Sequence, residues 1–191
     1  MRITGGEHRS RTLETPRGNA TRPTSDRVRE ALFAILGGER DFVGANVLDL
    51  YAGTGALAFE ALSRGAAHAT LVESARPALQ AIEANAKALG VAPRIHLVPL
   101  TIERALAALR RSRGFDLIFA DPPYELVKTG AAPRAIAGIL AGGVLADDGR
   151  MVLEHGKGEA APEIAGVRLR ESRRYGDTVI SFYERSTTAR V

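Results

Sequence analysis

From Asn46 onward the chain alternates between two kinds of segment. Val47–Tyr51, Ala69–Glu73, Ile95–Val98, Phe115–Ala120 and Arg150–His155 are short and almost wholly apolar, the mark of strands buried on both faces. Between them, Ala56–Arg64, Ala75–Leu89, Ile102–Arg111 and Ala132–Ala141 carry apolar residues at helical spacing, and glycines at 65, 90 and 142–143 stop three of the four. Strand and helix in turn predict a doubly wound α/β sheet, mostly parallel. The tail breaks the rhythm. Val167–Arg173 and Thr178–Glu184 are separated by too few residues for a crossover helix, so they predict an antiparallel hairpin at the sheet edge and bring the sheet to seven strands.

The first 45 residues follow another pattern. Arg2-Ile3-Thr4, Gly5-Gly6 and the run to Leu13 predict a short β-hairpin with a glycine turn. Residues 16–23 read as loop. Thr24-Ser25-Asp26 supplies a cap and a first-turn acid for a helix with Val28, Ala31, Leu32, Ile35 and Leu36 inward, Arg27 and Glu30 outward, and Gly37-Gly38 as its stop. The division expected is a hairpin arm over 1–23 and one α/β domain over 24–191 that includes the lead-in helix. No repeat or low-complexity segment is visible.

Charge is more telling by position than in total. Residues 1–29 hold seven arginines against Glu7, Glu14 and Asp26, while the remainder has 19 basic and 19 acidic residues. The whole net charge of +4 therefore sits in the arm and the first turn of the lead-in helix. A basic arm on a neutral body points to a polyanion. An arginine-rich coding bias (23 Arg to 3 Lys) explains the choice of Arg but not the clustering. There is no cysteine, and His8, His68, His96 and His155 show no metal-ligand spacing, so no metal is expected. No apolar segment is long enough for a bilayer and the start does not open a signal peptide, so the expectation is a cytoplasmic protein without membrane contact.

Candidate chemistry sits at two strand ends. Asp121-Pro122-Pro123-Tyr124 follows the apolar run 115–120 directly. An exocyclic amine on a base is a poor nucleophile because its lone pair is delocalised. A carboxylate (Asp121) and a backbone carbonyl (Pro122) accepting its two N–H groups would favour pyramidal nitrogen. The proline pair presets that geometry, Tyr124 can stack on the base, and Asp121 stabilises the growing positive charge. An ordinary Asp-Pro turn is the bland alternative. Upstream, Asp49 precedes the glycine loop Gly53-Thr54-Gly55, and Glu73 ends the next strand, where a carboxylate can accept from a ribose diol. The same glycines fit a nicotinamide-dinucleotide pattern, G-x-G-x-x-A. Asp49 suits instead a cofactor with a positively charged amino-acid end, and no hydride-transfer set is visible. Ligands in such sheets lie beyond the carboxyl ends of the strands, so the two tips are expected to face one crevice if the first and fourth strands are neighbours.

The glycine loop together with Asp121-Pro122-Pro123-Tyr124 resembles the S-adenosylmethionine-dependent amino-methyltransferases. Met1 to Arg9, Arg22-Pro23-Thr24-Ser25-Asp26-Arg27-Val28-Arg29-Glu30-Ala31-Leu32-Phe33 and Leu57 to Gly65 extend the resemblance over nearly the whole chain, to the bacterial 16S ribosomal RNA (guanine-N2)-methyltransferases of the RsmD type. The resemblance implies a Rossmann-like methyltransferase fold and S-adenosyl-L-methionine as cofactor. It implies that Asp49, Tyr51, Ala52, Gly53, Thr54 and Gly55 hold the methionine part and Glu73 the ribose. Asp121, Pro122 and Tyr124 would hold the guanine amine, with Asp121 also beside the cofactor. Where many such enzymes carry an acid to read the adenine, this chain has Thr101 and Ile102. Arg9, Arg11, Arg22, Arg27 and Arg29 would meet the RNA. The expected partner is 16S ribosomal RNA, free or within an assembling small subunit, and the expected state a monomer. The alternatives are a DNA or RNA adenine-N6 amino-methyltransferase, an NAD(P)-dependent oxidoreductase and a non-catalytic RNA-binding module.

Overall fold

The expected strands are present within a residue of their predicted starts, with one exception. A computed structural model describes residues 1–16, 25–39, 41–109, 114–158 and 160–186. In chain order the elements are α1 (Asp26–Glu39), β1 (Asn46–Leu50), α2 (Ala56–Ser63), β2 (His68–Val72), α3 (Arg76–Leu89), β3 (Ile95–Val98), α4 (Ile102–Leu109), β4 (Phe115–Ala120), α5 (Tyr124–Lys128), α6 (Ala131–Leu140), β5 (Leu145–Gly156), β6 (Val167–Tyr175) and β7 (Thr178–Arg185). The seven strands make a mixed, mostly parallel sheet of the α/β class. The chain divides into two compact units, Met1–Thr101 and Ile102–Val191.

In the first unit β3, β2 and β1 pair in parallel in that order. β1 and β2 each end one residue earlier than the apolar pattern predicts, because Tyr51 (φ 62°) and Glu73 leave the ladder to form the loops beyond it. α3 stops at Gly90 in the left-handed region, as expected. α1 differs from its prediction twice. Gly37-Gly38 do not stop it: glycine weakens a helix without breaking its hydrogen bonds, and the helix runs to Glu39. Its buried seam is Arg29, Leu32, Phe33 and Leu36, rotated from the predicted one, although Arg27 and Glu30 are exposed as expected. Ser25 caps it, its Oγ accepting from Val28 N at 3.2 Å.

The arm is a hairpin of one bridge, Arg2 to Thr12, with Ile3 N donating to Arg11 O (3.0 Å) and Ser10 N to Ile3 O (2.9 Å). The glycine pair is not a tight two-residue turn. The tip is a wide loop because it docks on the end of α2. Glu7 N donates to Ser63 O at 2.7 Å, His8 N to Ser63 Oγ at 2.9 Å, and Ser63 Oγ to Gly5 O at 2.6 Å. Gly6 has φ 78°, and a Cβ there would land on the Ser63 carbonyl, so the position needs glycine for close approach.

In the second unit β4 and β5 are parallel, β7 is antiparallel to β5, and β6 pairs antiparallel outside it. The terminal hairpin is thus an edge hairpin, as the short connection predicts. β5 is the exception. It starts five residues early, at Leu145, through an irregularity that pairs Phe115 with Leu145 and then Leu117 with Arg150. The short helix α5 is a further surprise: Pro123 serves as its N-cap, and the turn that the two prolines announce leads straight into a helix. Among the described residues no helix is long and apolar enough to cross a membrane.

Candidate active site

The glycine loop of the first unit starts from a buried acid. Asp49, 1 % exposed, sits in β1, and its Oδ2 accepts from Ala58 N at 3.2 Å in the first turn of α2. Its Oδ1 has no hydrogen-bond partner among the described residues. Burial pushes the carboxyl up to about 7; the Ala58 bond opposes the rise and the charge of Glu73 adds to it. Beyond Asp49 the backbone turns through Tyr51 (φ 62°), Gly53 (φ 55°) and Gly55 (φ 78°). Gly55 needs its missing side chain, because a Cβ would lie 2.6 Å from the Phe59 ring. At Gly53 a Cβ would meet nothing within 4 Å, so the peptide there borders open space.

Glu73 is tied to the same loop. Its Oε2 accepts from Gly53 N at 2.8 Å, and its Oε1 from Ser74 N (2.7 Å) and Ala75 N (2.8 Å). Three of about four acceptor directions are taken, leaving one for a hydroxyl. Asn85 completes the frame. It is 1 % exposed, and its amide donates to Thr54 O (3.2 Å) and Glu14 O (3.1 Å) while accepting from Glu14 N (2.7 Å). The sequence reading missed it; a lone Asn on the inner face of α3 was the available signal.

Among the expected RNA contacts, Arg9 and Arg27 are exposed. Arg11 is exposed too and reaches Ala88 O with Nη2 at 2.7 Å. Arg22 lies outside the described residues. Arg29 is a correction. It is fully buried, donating to Asp26 Oδ1 (2.9 Å), to Glu60 Oε2 (3.4 Å) and to the Arg2 carbonyl. Its charge is spent inside the protein and takes no part in an RNA-facing surface. Glu60, also fully buried, accepts further from Thr4 N (2.8 Å), Thr4 Oγ1 (2.7 Å) and Arg64 Nε (2.9 Å). Burial alone would raise Asp26, but the Arg2 amide and the Arg29 guanidinium outweigh it and hold the carboxyl below its usual range.

In the second unit Asp121 and Pro122 leave the end of β4, Pro122 buried and Asp121 half-buried. Tyr124 is anchored more firmly than the sequence suggests. Its hydroxyl donates to Glu154 Oε1 at 3.1 Å and shares a second bond of 3.1 Å with the Thr178 hydroxyl. Its ring lies over Gly156, where a Cβ would come within 3.1 Å of it. Burial, with the charges of Glu154 and Asp121, pushes the phenol up to about 12, so it stays a neutral donor. Glu154 and Thr178 are partners that no local motif announces. Thr101 is exposed, whereas Ile102 is buried at the start of α4, where it lines an apolar groove of about 430 Å³ with Leu106 and Ile139.

Residues 1–184 match the model of a family described as conserved hypothetical protein 95. The chain belongs to this family. It is 34% identical over 186 residues to ribosomal RNA small subunit methyltransferase D of Escherichia coli (strain K12), covering 97% of this chain and 90% of that protein. It is 36% identical over 187 residues to YlbH of Bacillus subtilis (strain 168), named provisionally as an rRNA methyltransferase, covering 97% and 99%. A solved structure of yhhF from Escherichia coli, named provisionally as a methyltransferase, superposes with TM-score 0.82 at 32% identity over 98% of this chain and 99% of that one. The span matched by the family model takes in both the arm and the Asp-Pro-Pro-Tyr tip of this chain.

Proposed function

We propose that the protein transfers a methyl group from S-adenosyl-L-methionine to the exocyclic N2 amine of a guanine in 16S ribosomal RNA of the small subunit. The observation that carries this reading is an anchored Asp-Pro-Pro-Tyr tip in a family member alignable over 97% of its length with ribosomal RNA small subunit methyltransferase D. The reading extends to a monomer acting in the cytoplasm, on RNA that is free or in an assembling subunit.

The residues of the first unit fit the cofactor. Asp49 Oδ1 is a buried acceptor without a partner among the described residues, suited to a cationic end. Gly53 and Gly55 bring main chain close to a ligand, with Tyr51, Ala52 and Thr54 completing the loop. Glu73 keeps one acceptor direction for a ribose hydroxyl. Thr101, followed in sequence by Ile102 at the start of the second unit, supplies backbone groups for the adenine. When bound, the cofactor offers an electrophilic methyl on a sulfonium.

This chain's own part is to prepare the amine. Asp121 and the Pro122 carbonyl accept its two N–H groups, which localises the lone pair. Tyr124, fixed by Glu154 and Thr178, gives the base a rigid neighbour. The nitrogen that accepts the methyl group would become cationic; Asp121 would stabilise it, and the proton would leave through Asp121 or water. The guanine must first be unstacked, at a cost of roughly a few kcal/mol.

The test is methyl transfer from labelled cofactor to small-subunit RNA lacking the modification, followed by mapping of the labelled nucleotide. Asp121→Ala is expected to lower kcat by at least about 100-fold while S-adenosylhomocysteine affinity stays within a few-fold. Label on adenine N6, or near-normal transfer by the variant, overturns the reading.

A further inference from the structure

The second unit carries a basic element outside the arm. β6 is the outer strand of its ladder and bears Arg168, Arg170, Arg173 and Arg174 against a single acid, Glu171. Directly opposed residues in a ladder share a face. Arg173 opposes Ile180, and Tyr175 opposes Thr178; in turn Ile180 opposes Glu154, and Thr178 opposes Gly156. Arg173 and Tyr175 therefore lie on the sheet face of Glu154, Thr178 and Gly156. These three residues are the ones that anchor Tyr124. The hairpin tip is thus two strand spacings, about 10 Å, from the strand under the Tyr124 ring. Arg174 is held at the same tip, its Nε donating to Gly176 O at 2.9 Å. Arg173 is half-exposed and pairs with Glu171 at 3.2 Å, a surface pair that a phosphate can displace.

We propose that the β6–β7 tip is a second RNA grip. It takes single-stranded RNA next to the target nucleotide, with Arg173 and Arg174 on phosphates and Tyr175 beneath a neighbouring base. The proposal rests on the RNA-methyltransferase reading above. Charged residues on an edge strand also block strand addition, but that role needs charge of either sign and no aromatic ring at the tip.

The experiment measures binding of a fluorescent small-subunit RNA fragment across a salt series. The proteins are wild type, R173A/R174A, R173K/R174K, R173E/R174E and Y175L, with S-adenosylhomocysteine affinity as a check of the fold. R173A/R174A is expected to lower the salt slope by about 0.7 for each phosphate no longer neutralised. Y175L is expected to weaken binding by about tenfold, the scale of one base–aromatic stack. R173K/R174K stays near wild type. R173E/R174E keeps the edge charged yet binds worst. Cofactor-product affinity stays unchanged throughout. Wild-type affinity and slope in both R173E/R174E and Y175L overturn the grip alone. Wild-type protein that binds no RNA overturns the underlying reading with it. If the arginine variants fail the fold check, Y175L alone decides.

Discussion

Asp49 keeps its proton in the folded chain up to about pH 7, whereas its ordinary value is 3.8. Between those values the folded state binds a proton that the unfolded state has lost. Asp49 therefore contributes its stability in full below about pH 4 and loses it as pH rises through 7, with a slope on the order of 1 kcal/mol per pH unit. Asp49→Asn should flatten that part of the stability profile, read as the denaturation midpoint at several pH values. If Asp49 holds the cationic end of the cofactor, as proposed, the same acid couples cofactor binding to protons. A cation beside Asp49 favours the carboxylate, so binding releases a proton and affinity climbs from pH 5 to 7. Calorimetry in buffers of different ionisation heat checks this, and the release should vanish in Asp49→Asn. The sequence displays Asp49 in a strand, but its exchangeable proton depends on burial and on Glu73, 24 residues away in sequence.

At the level of elements, the arm, α1 and α2 are joined by one buried ion cluster. Arg29→Ala leaves the buried Glu60 with Arg64 as its counter-charge and takes a donor from Asp26 and from the Arg2 carbonyl, and the expected cost is about 3 kcal/mol in chemical denaturation, the low end for breaking a buried pair. Replacing both partners by Met and Leu should cost much less. Arg29 is expected among the RNA contacts because the resemblance covers the whole Arg22–Arg29 segment, and a resemblance does not tell which of its arginines is buried. The partner of Arg29 gave the better clue. Glu60 is the one acid in the otherwise apolar run Ala56–Leu62, and an acid inside a buried helix must be paired. The strands were legible because burial on both faces leaves an unbroken apolar run. α5 was not, because two prolines announce a turn and do not tell whether a helix follows. The early start of β5 was hidden for a similar reason, since Ala146-Asp147-Asp148-Gly149 reads as loop and joins the strand only through the pairing irregularity.

On the scale of the whole molecule, the sequence places the entire net positive charge in residues 1–29. The structure redistributes its meaning. Arg29 is neutralised internally, and Arg2 approaches Asp26 at 3.9 Å. Arg9, Arg11 and Arg27 remain at the surface. Changing these three to Glu should weaken RNA binding at least tenfold and flatten its salt dependence, with S-adenosylhomocysteine affinity almost unchanged. Equal losses for both ligands in a titration would remove the arm from RNA recognition. The fold and both strand-end motifs could be read from the chain. The fixings could not, because Tyr124 to Glu154 and Thr178, and Glu14 to Asn85, join residues 30 to 71 positions apart.

Asn85 meets a peptide N–H and C=O of one segment and a carbonyl of another, a rung of ladder made from a side chain. Aspartate would repel both carbonyls, and glutamine would overshoot them by a methylene. Position 85 therefore has no synonym among the twenty residues, and any drift there should be registered simultaneously at Glu14 and at the loop of Thr54.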